Sequence, residues 1–243
     1  MSIFYDIAGV LRDTTSLFLP RTCLACGRVL LERESCVCLN CRYNMPLTNF
    51  SARRDNPIKL LFENVIPVES AAAMFWFVGG TEWQSIIHKF KYYGRWFFAQ
   101  KMGEWLGEEL RDSGNFDDID LVIPIPLHYR RRLKRGYNQS EQLAIGVGRK
   151  MGVECDFRSV RRRRYNDSQT SKRRSDRWDN VEAIFEVRRV ERLRGRHILL
   201  VDDVLTTGAT MASCASTIFD ACEGDVRISV ASLAVSRKII QER

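Results

Sequence analysis

The adjacent carboxylates Asp202 and Asp203 are the residues of this sequence best suited to carry chemistry. Four apolar residues before them, 198–201, predict a buried parallel strand, and residues 211–221 predict a helix that follows a short loop. Ligands of open α/β sheets bind beyond the carboxyl ends of the strands. Carboxylates placed there can accept hydrogen bonds from sugar hydroxyls, and amides at a helix N-terminus can hold a phosphate. The pattern therefore predicts a site for a phosphorylated sugar.

The loop between this strand and this helix is rich in hydroxyl and small side chains, namely Thr206, Thr207, Gly208, Ala209 and Thr210. Two acids at a strand end could instead belong to a solvated turn, which is the alternative interpretation. However, the ordered combination of four apolar residues, two acids and Thr-Thr-Gly-x-Thr resembles the phosphoribosyl-pyrophosphate (PRPP) motif of type I phosphoribosyltransferases.

Four of the eight cysteines have the spacing of a metal site: Cys23, Cys26, Cys38 and Cys41. Two such CxxC pairs can surround Zn²⁺ tetrahedrally, and a closed site of four thiolates leaves no position for a substrate. A segment of about 30 residues cannot build a core alone, so the metal would supply its folding free energy. Disulfides and a redox CxxC are the alternatives, and nothing in the sequence indicates secretion. Cys36 could also replace Cys38 as a ligand.

The net charge of +8 is concentrated in one part of the chain. Residues 123–196 carry 21 Lys and Arg against 9 Asp and Glu, a net charge of +12. Residues 1–122 carry 13 against 15, and residues 197–243 carry 4 against 6, so each flank has a net charge of −2. A local field of this kind attracts polyanions, and both pyrophosphate and nucleic acid are candidates. A solvated basic surface is the alternative.

Composition and hydropathy indicate an ordinary globular chain, with 45% hydrophobic and 28% charged residues. No apolar stretch approaches the roughly 20 residues needed to span a bilayer. Residues 1–20 lack a basic start and a small-residue cleavage site, so they predict a structural helix rather than a signal peptide. We therefore expect the protein to reside in the cytoplasm.

Strands and helices alternate along the chain, which predicts a doubly wound parallel sheet in an α/β fold. The charged segment 161–179 is poor in aliphatic residues and predicts a mobile loop or flap. The predicted strands are 71–78, 121–126, 184–187, 198–201 and 226–235, and the predicted helices are 83–90, 95–110, 140–151 and 211–221.

Nearly the whole chain resembles the ComF family, whose phosphoribosyltransferase-like members are linked to natural competence and DNA uptake. The resemblance is carried by the two cysteine pairs and by segments 122–126, 135–139 and 201–210. Further matching residues are Lys91, Tyr92, Gly94, Gln169, Arg177, Asn180 and Phe185. It implies a type I phosphoribosyltransferase-like sheet in residues 51–243, preceded by an N-terminal helix and zinc-binding module in residues 1–50.

The resemblance also implies roles for the site residues. Asp202 and Asp203 would hold the ribose hydroxyls of PRPP, and the loop 206–210 would hold its 5′-phosphate. Arg135 and a cation of the flap, such as Lys172 or Arg177, would approach the pyrophosphate, which Mg²⁺ would bridge. Hypoxanthine-type relatives carry an acid at the position of Thr206, where it serves purine deprotonation, so the acceptor here is left open.

Three classes of function are compatible with the sequence. The first is a Mg²⁺-dependent phosphoribosyltransferase with an unknown acceptor. The second is a competence protein that binds PRPP or single-stranded DNA without turnover, with other competence proteins as partners. Aromatic residues among the arginines favour it: Tyr129, Tyr137, Tyr165 and Trp178. The third is an interaction scaffold with a relict pocket, against which the retained acids argue, because clustered carboxylates carry an energetic cost.

Overall fold

Five parallel strands form the central sheet of the computed structural model, which describes residues 20–92, 96–163 and 184–237. The strands are β1 (Ala71–Phe77), β2 (Leu121–Pro124), β3 (Glu154–Cys155), β6 (His197–Leu205) and β7 (Arg227–Ser236). Their order in the sheet is β1-β7-β6-β2-β3, and every pairing is parallel. Outside this sheet, β4 (Val160–Arg162) and β5 (Phe185–Val187) pair antiparallel. The predicted parallel α/β sheet is confirmed.

Helices cover both faces of the sheet, as the apolar character of its strands requires. The long helices α4 (Trp96–Asp112) and α6 (Gln139–Met151) pack on one face, and α7 (Ala209–Ala221) packs on the other. The remaining helices are α1 (Leu39–Tyr43), α2 (Pro57–Leu60), α3 (Glu82–Tyr92) and α5 (Tyr129–Arg135), with a 3₁₀ turn at Val190–Arg192. Across the described part of the chain, no helix is both long enough and apolar enough to cross a bilayer.

The structure differs from the predicted elements mainly around the site. The strand predicted at 198–201 continues to Leu205, because β6 remains paired with β7 as far as Leu205 opposite Val235. Asp202 and Asp203 therefore lie inside a strand, and α7 begins at Ala209, two residues earlier than predicted. The helix predicted within 1–20 falls outside the described residues, apart from residue 20, as does most of the predicted flap.

Glycines allow α4 and α6 to pack very closely. A β-carbon at Gly146 would lie 2.1 Å from the carbonyl oxygen of Gln100, and one at Gly103 would lie 2.1 Å from that of Leu143. The two helices run in the same direction, because residues 100, 103 and 107 of α4 contact residues 142, 143 and 147 of α6, in that order. This packing fixes the start of α6 at the carboxyl end of the sheet, where the site lies.

The cysteine-rich segment packs onto the same face of the sheet as α4 and α6. Its side chains belong to one apolar cluster with those of the sheet, including Leu24 and Val37 from the segment and Phe75 from β1. At its end the chain runs antiparallel to β1, where the N–H of Thr48 donates to the carbonyl of Met74 at 3.0 Å. Folding of this segment is therefore coupled to the edge strand of the sheet.

Candidate active site and metal centre

Asp202 and Asp203 lie half-buried near the carboxyl end of β6. Asp202 Oδ1 accepts hydrogen bonds from Ser140 Oγ at 2.8 Å and from the N–H of Asp203 at 2.9 Å. Asn138 caps α6 by accepting from the N–H of Ser140 at 3.2 Å, and it donates to the carbonyl of Ile125 at 3.1 Å. The start of α6 is thus tied to the end of β2 and holds the Asp202 carboxylate in one orientation.

The loop after β6 ends in a turn that requires glycine. Gly208 has a φ of 76°, and a β-carbon there would also lie 3.7 Å from Leu61 Cδ1. No side chain caps α7 among the described residues, and its first turn contains no acid; the N–H of Ala209 donates to Thr207 Oγ1 at 3.4 Å. Asp202 and residues 204–211 line a concavity of about 30 Å³ here. Such a helix start favours an anion.

The predicted phosphate loop is therefore split between two elements. Thr206 and Thr207 are exposed in the loop, Gly208 is buried at the turn, and Ala209 and Thr210 are exposed in the first turn of α7. All five residues still surround one concavity together with Asp202. The structure thus brings the five loop residues together with Asp202, whereas Asp203 does not line this concavity.

Arg162 in β4 lies in the electrostatic field of Asp202, and the sequence pattern did not single it out. Its Nε atom is buried and has no hydrogen-bond partner among the described residues, while its guanidinium carbon lies 5.5 Å from the ring centroid of Phe185. Burial lowers the pKa of Arg162 and the charge of Arg131 lowers it further, whereas Asp202 opposes both effects. Arg162 is therefore a desolvated cation that an anionic ligand would stabilise. Nothing in the run of arginines 161–164 distinguishes it from its neighbours.

A cavity of about 400 Å³ lies beyond β2 and next to β4. Arginines and two aromatic rings dominate its lining, which consists of Pro126, Leu127, Tyr129, Arg132, Glu141, Phe157, Val160, Arg161, Arg162 and Arg163. Arg132 pairs with Glu141 at 2.9 Å, and Arg161 pairs with Glu186. Since the arginines outnumber these acids, the cavity suits an anionic ligand.

Arg135 lies at the end of α5, directly before the loop that leads into α6. Its Nη1 donates to Gln139 Oε1 at 3.0 Å, one residue before Ser140. The predicted flap cations Lys172 and Arg177 lie outside the described residues. The same holds for Gly94, Gln169 and Asn180 and for the side chains of Lys91 and Tyr92.

A partly buried polar cluster at the amino end of the sheet resembles a nucleophile triad but has another role. His197 Nδ1 lies 3.0 Å from Asp118 Oδ1, and its Nε2 lies 2.9 Å from Ser229 Oγ. Ser229 is fully buried and also accepts from the N–H of Ser70 at 3.1 Å. A serine without access to solvent cannot attack a substrate, so this cluster satisfies buried polar groups and fixes strand register.

The four cysteines of the two CxxC pairs converge on one point. Their sulfur atoms all lie within 4.8 Å of one another, and Sγ of Cys26 lies 3.8 Å from Sγ of Cys38. Four thiolates bound tetrahedrally to Zn²⁺ at about 2.3 Å are separated by about 3.8 Å. The N–H of Cys38 donates to Cys23 Sγ at 3.3 Å, and that of Cys41 donates to Cys38 Sγ at 3.4 Å. This donor set fits a tetrahedral metal ion.

Cys36, the alternative ligand, lies outside this group. Its side chain is fully buried and contacts Ser35 Oγ, and burial raises the pKa of its thiol to about 11. Cys38 therefore completes the four-cysteine cluster, as the CxxC spacing predicts.

The chain is similar in sequence to a known domain and to known proteins. The family model described as phosphoribosyl transferase domain matches residues 133–238. The chain is similar to DNA utilization protein YhgH of Shigella flexneri, with 31% identity over 136 residues, which are 55% of this chain and 59% of that protein. It is also similar to Competence protein F of Haemophilus influenzae, with 28% identity over 130 residues, 52% of this chain and 57% of that protein.

The name of a third relative includes the name of the ComF family. The chain is 32% identical over 103 residues to Competence protein ComFC of Bacillus subtilis, which covers 41% of this chain and 38% of that protein. The matched regions thus span between 38% and 59% of the length of these three relatives. The matched domain contains Arg135, Ser140, Arg162 and the carboxylate pair of the site. The matched phosphoribosyl transferase domain and these relatives together support membership of the ComF family.

Proposed function

We propose that this protein binds PRPP together with Mg²⁺ and transfers its phosphoribosyl group during the use of incoming DNA. The observation that carries the proposal is the Asp202 carboxylate, which Ser140 orients beside the start of α7, where no side chain caps the helix among the described residues. A sugar phosphate needs acceptors for its hydroxyls and donors for its phosphate. This edge of the sheet offers both within one concavity.

In this reaction the bond between ribose C1 and pyrophosphate breaks, and a bond from C1 to the acceptor nucleophile forms. Positive charge develops on the ribose and negative charge on the leaving pyrophosphate. Asp202 and Asp203 would hold the ribose hydroxyls and stabilise the positive charge, and Arg162 and Arg135 would stabilise the pyrophosphate. The unpartnered Nε of Arg162 then gains an acceptor when the ligand is bound.

The site also suits Mg²⁺, which prefers oxygen ligands and retains several waters. Asp202 and Asp203 are the carboxylates that this site offers, and substrate oxygens would complete the coordination. The ion would neutralise charge on the pyrophosphate.

Titration calorimetry with PRPP and Mg²⁺ tests this proposal and the role of Arg162. We expect Arg162→Gln to weaken PRPP binding by about ten- to a hundredfold, because a charge-assisted hydrogen bond contributes about 1.5–3 kcal/mol. Binding of ribose 5-phosphate, which lacks the pyrophosphate, should change little. Arg158→Gln, four residues earlier in the chain and exposed outside the lining of the cavity, is the matched control. Wild-type protein that does not bind PRPP with Mg²⁺ present would contradict the proposal.

A second candidate function, binding of single-stranded DNA, is favoured by the surface of α5. Tyr129 is 59% exposed and carries the Arg130 guanidinium at 5.9 Å from its ring centroid, and Leu133 is 80% exposed. Four further basic residues share this seven-residue helix: Arg131, Arg132, Lys134 and Arg135. Exposed rings among arginines are typical of surfaces on which bases stack.

For this second function we expect affinity for an oligothymidine to fall linearly on a log–log plot against salt, with a slope of about 0.7 per neutralised phosphate. Tyr129→Ala should weaken binding about ten- to a hundredfold, since a stacked base contributes about 1–3 kcal/mol. Tyr43→Ala, which removes a 91% exposed ring from the cysteine segment, is the control. Fluorescence anisotropy measures both effects, and a flat salt response would exclude this function.

We also propose that the cysteine cluster holds a structural Zn²⁺ and that residues 1–50 form a module distinct from the domain at 51–243. The cluster geometry supports a thiolate metal, and a site closed by four cysteines has no catalytic position. None of the eight cysteines, all of which lie in the described residues, forms a disulfide, which suits the reducing cytoplasm that we propose as the location.

A further inference from the structure

A second cavity, of about 290 Å³, lies between the cysteine segment, β1 and α4. Its lining combines apolar and small polar side chains with one cation and two acids: Arg42, Met45, Leu47, Asn49, Ser51, Ala52, Met74, Trp105, Glu108 and Glu109. It shares no residue with the PRPP site or with the cavity beside β4. A ligand bound here would therefore occupy a site separate from the PRPP site.

The carboxylate of Glu109 has no ion-pair partner among the described residues. Ser51, itself buried, donates to Glu109 Oε1 at 2.7 Å, and no Lys, Arg or His of the described residues forms an ion pair with this carboxylate. Burial raises the pKa of Glu109. A carboxylate can accept about four hydrogen bonds, so most of its acceptor capacity is available to a ligand.

The Trp105 ring already contacts a guanidinium of this chain. The guanidinium carbon of Arg42 lies 4.6 Å from the centroid of the Trp105 ring, and Arg42 itself is exposed. Planar cations are attracted to the face of an indole by its quadrupole. Glu108, by contrast, forms an ion pair with Lys150 at 3.4 Å, so Glu109 is the acid that a cationic ligand would pair with.

We propose that this cavity binds an organic cation with a flat, partly apolar body, such as an amidinium or guanidinium. The positive charge of this ligand pairs with the Glu109 carboxylate, and its flat body packs against Trp105 and Met74. The two carboxylates outnumber the single arginine of the lining and so disfavour an anion, and the apolar side chains disfavour a small hydrated metal ion. A volume of about 290 Å³ suffices for a group the size of an arginine side chain.

Benzamidine and its neutral analogue benzamide test the proposal with the full-length chain. We expect benzamidine to shift the indole N–H resonance of Trp105, assigned by its loss in Trp105→Phe, and benzamide to leave it in place. Glu109→Gln should weaken benzamidine binding at least about tenfold, because a charged hydrogen bond is replaced by a neutral one. Asp112→Asn, an exposed acid of the same helix, is the matched control.

Two further probes distinguish the natural sources of such a cation. Agmatine represents a free amine, and an arginine with both termini capped represents the side chain of a partner protein. Binding of agmatine but not of the capped arginine assigns the cavity to a small molecule, and tighter binding of the capped arginine than of agmatine assigns it to a protein side chain. Equal binding of benzamide and benzamidine, or no binding of any cationic probe, overturns the proposal.

Discussion

The double substitution Asp202→Asn and Asp203→Asn is expected to weaken PRPP binding at least about a hundredfold. Each substitution replaces a charged acceptor for a ribose hydroxyl by a neutral one, and hydrogen bonds to charged groups contribute about 1.5–3 kcal/mol each. Fold and metal content should persist, because Asn keeps the volume of Asp and its Oδ1 can still accept from Ser140 and from the following amide. Loss of binding would then report on charge rather than on folding.

Calorimetry with PRPP and Mg²⁺ measures the effect, and circular dichroism with metal analysis verifies that the variant is folded. Asp220→Asn removes an exposed acid from α7 and is the matched control. If the double variant binds PRPP as tightly as the wild type, the two aspartates do not hold the sugar. A variant that loses binding together with its secondary structure is replaced by the single variant Asp203→Asn, because Asp202 accepts the bond from Ser140.

The residues of the site that local patterns identify are those that lie close together in the sequence. Asp202, Asp203 and the loop 206–210 are contiguous, and each cysteine pair spans four residues, so composition and spacing suffice to find them. Ser140 is different, because it lies 62 residues before its partner Asp202. Their contact depends on β2 lying next to β6 in the sheet, and the order of strands cannot be read from a local pattern.

Arg162 and Glu109 were not predicted as site residues from the sequence, for a similar reason. Arg162 is one of four consecutive arginines, and its Nε atom is buried where β4 pairs with β5. Glu109 follows Glu108 on a helix, where two acids usually face solvent. It becomes half-buried because residues 45–52 lie over this part of α4. The sheet itself was predictable because alternating strands and helices admit few arrangements.

Removal of the metal is the second change with a large expected effect. A chelator should release one Zn²⁺ per chain and lower the melting temperature by more than about 10 °C, since structural zinc contributes about 10–16 kcal/mol in isolated zinc-binding peptides. The effect should reach beyond the cysteine segment. Leu24 and Val37 share a core cluster with Phe75 of β1, and Lys89 Nζ donates to the carbonyl of Leu24 at 2.6 Å.

Two cysteine variants separate metal binding from core packing. Cys38→Ser should abolish the bound zinc, whereas Cys36→Ser, two residues away and fully buried but outside the cluster, should keep it at some cost in stability. Zinc content by atomic absorption and melting by calorimetry are the two measurements. Because the concavity at the end of β6 shares no residue with the four-cysteine cluster, PRPP binding by refolded, metal-free protein tests whether the module only stabilises the fold. Equal zinc loss in both variants, or melting that a chelator leaves unchanged, would show that these four thiols do not hold a structural ion.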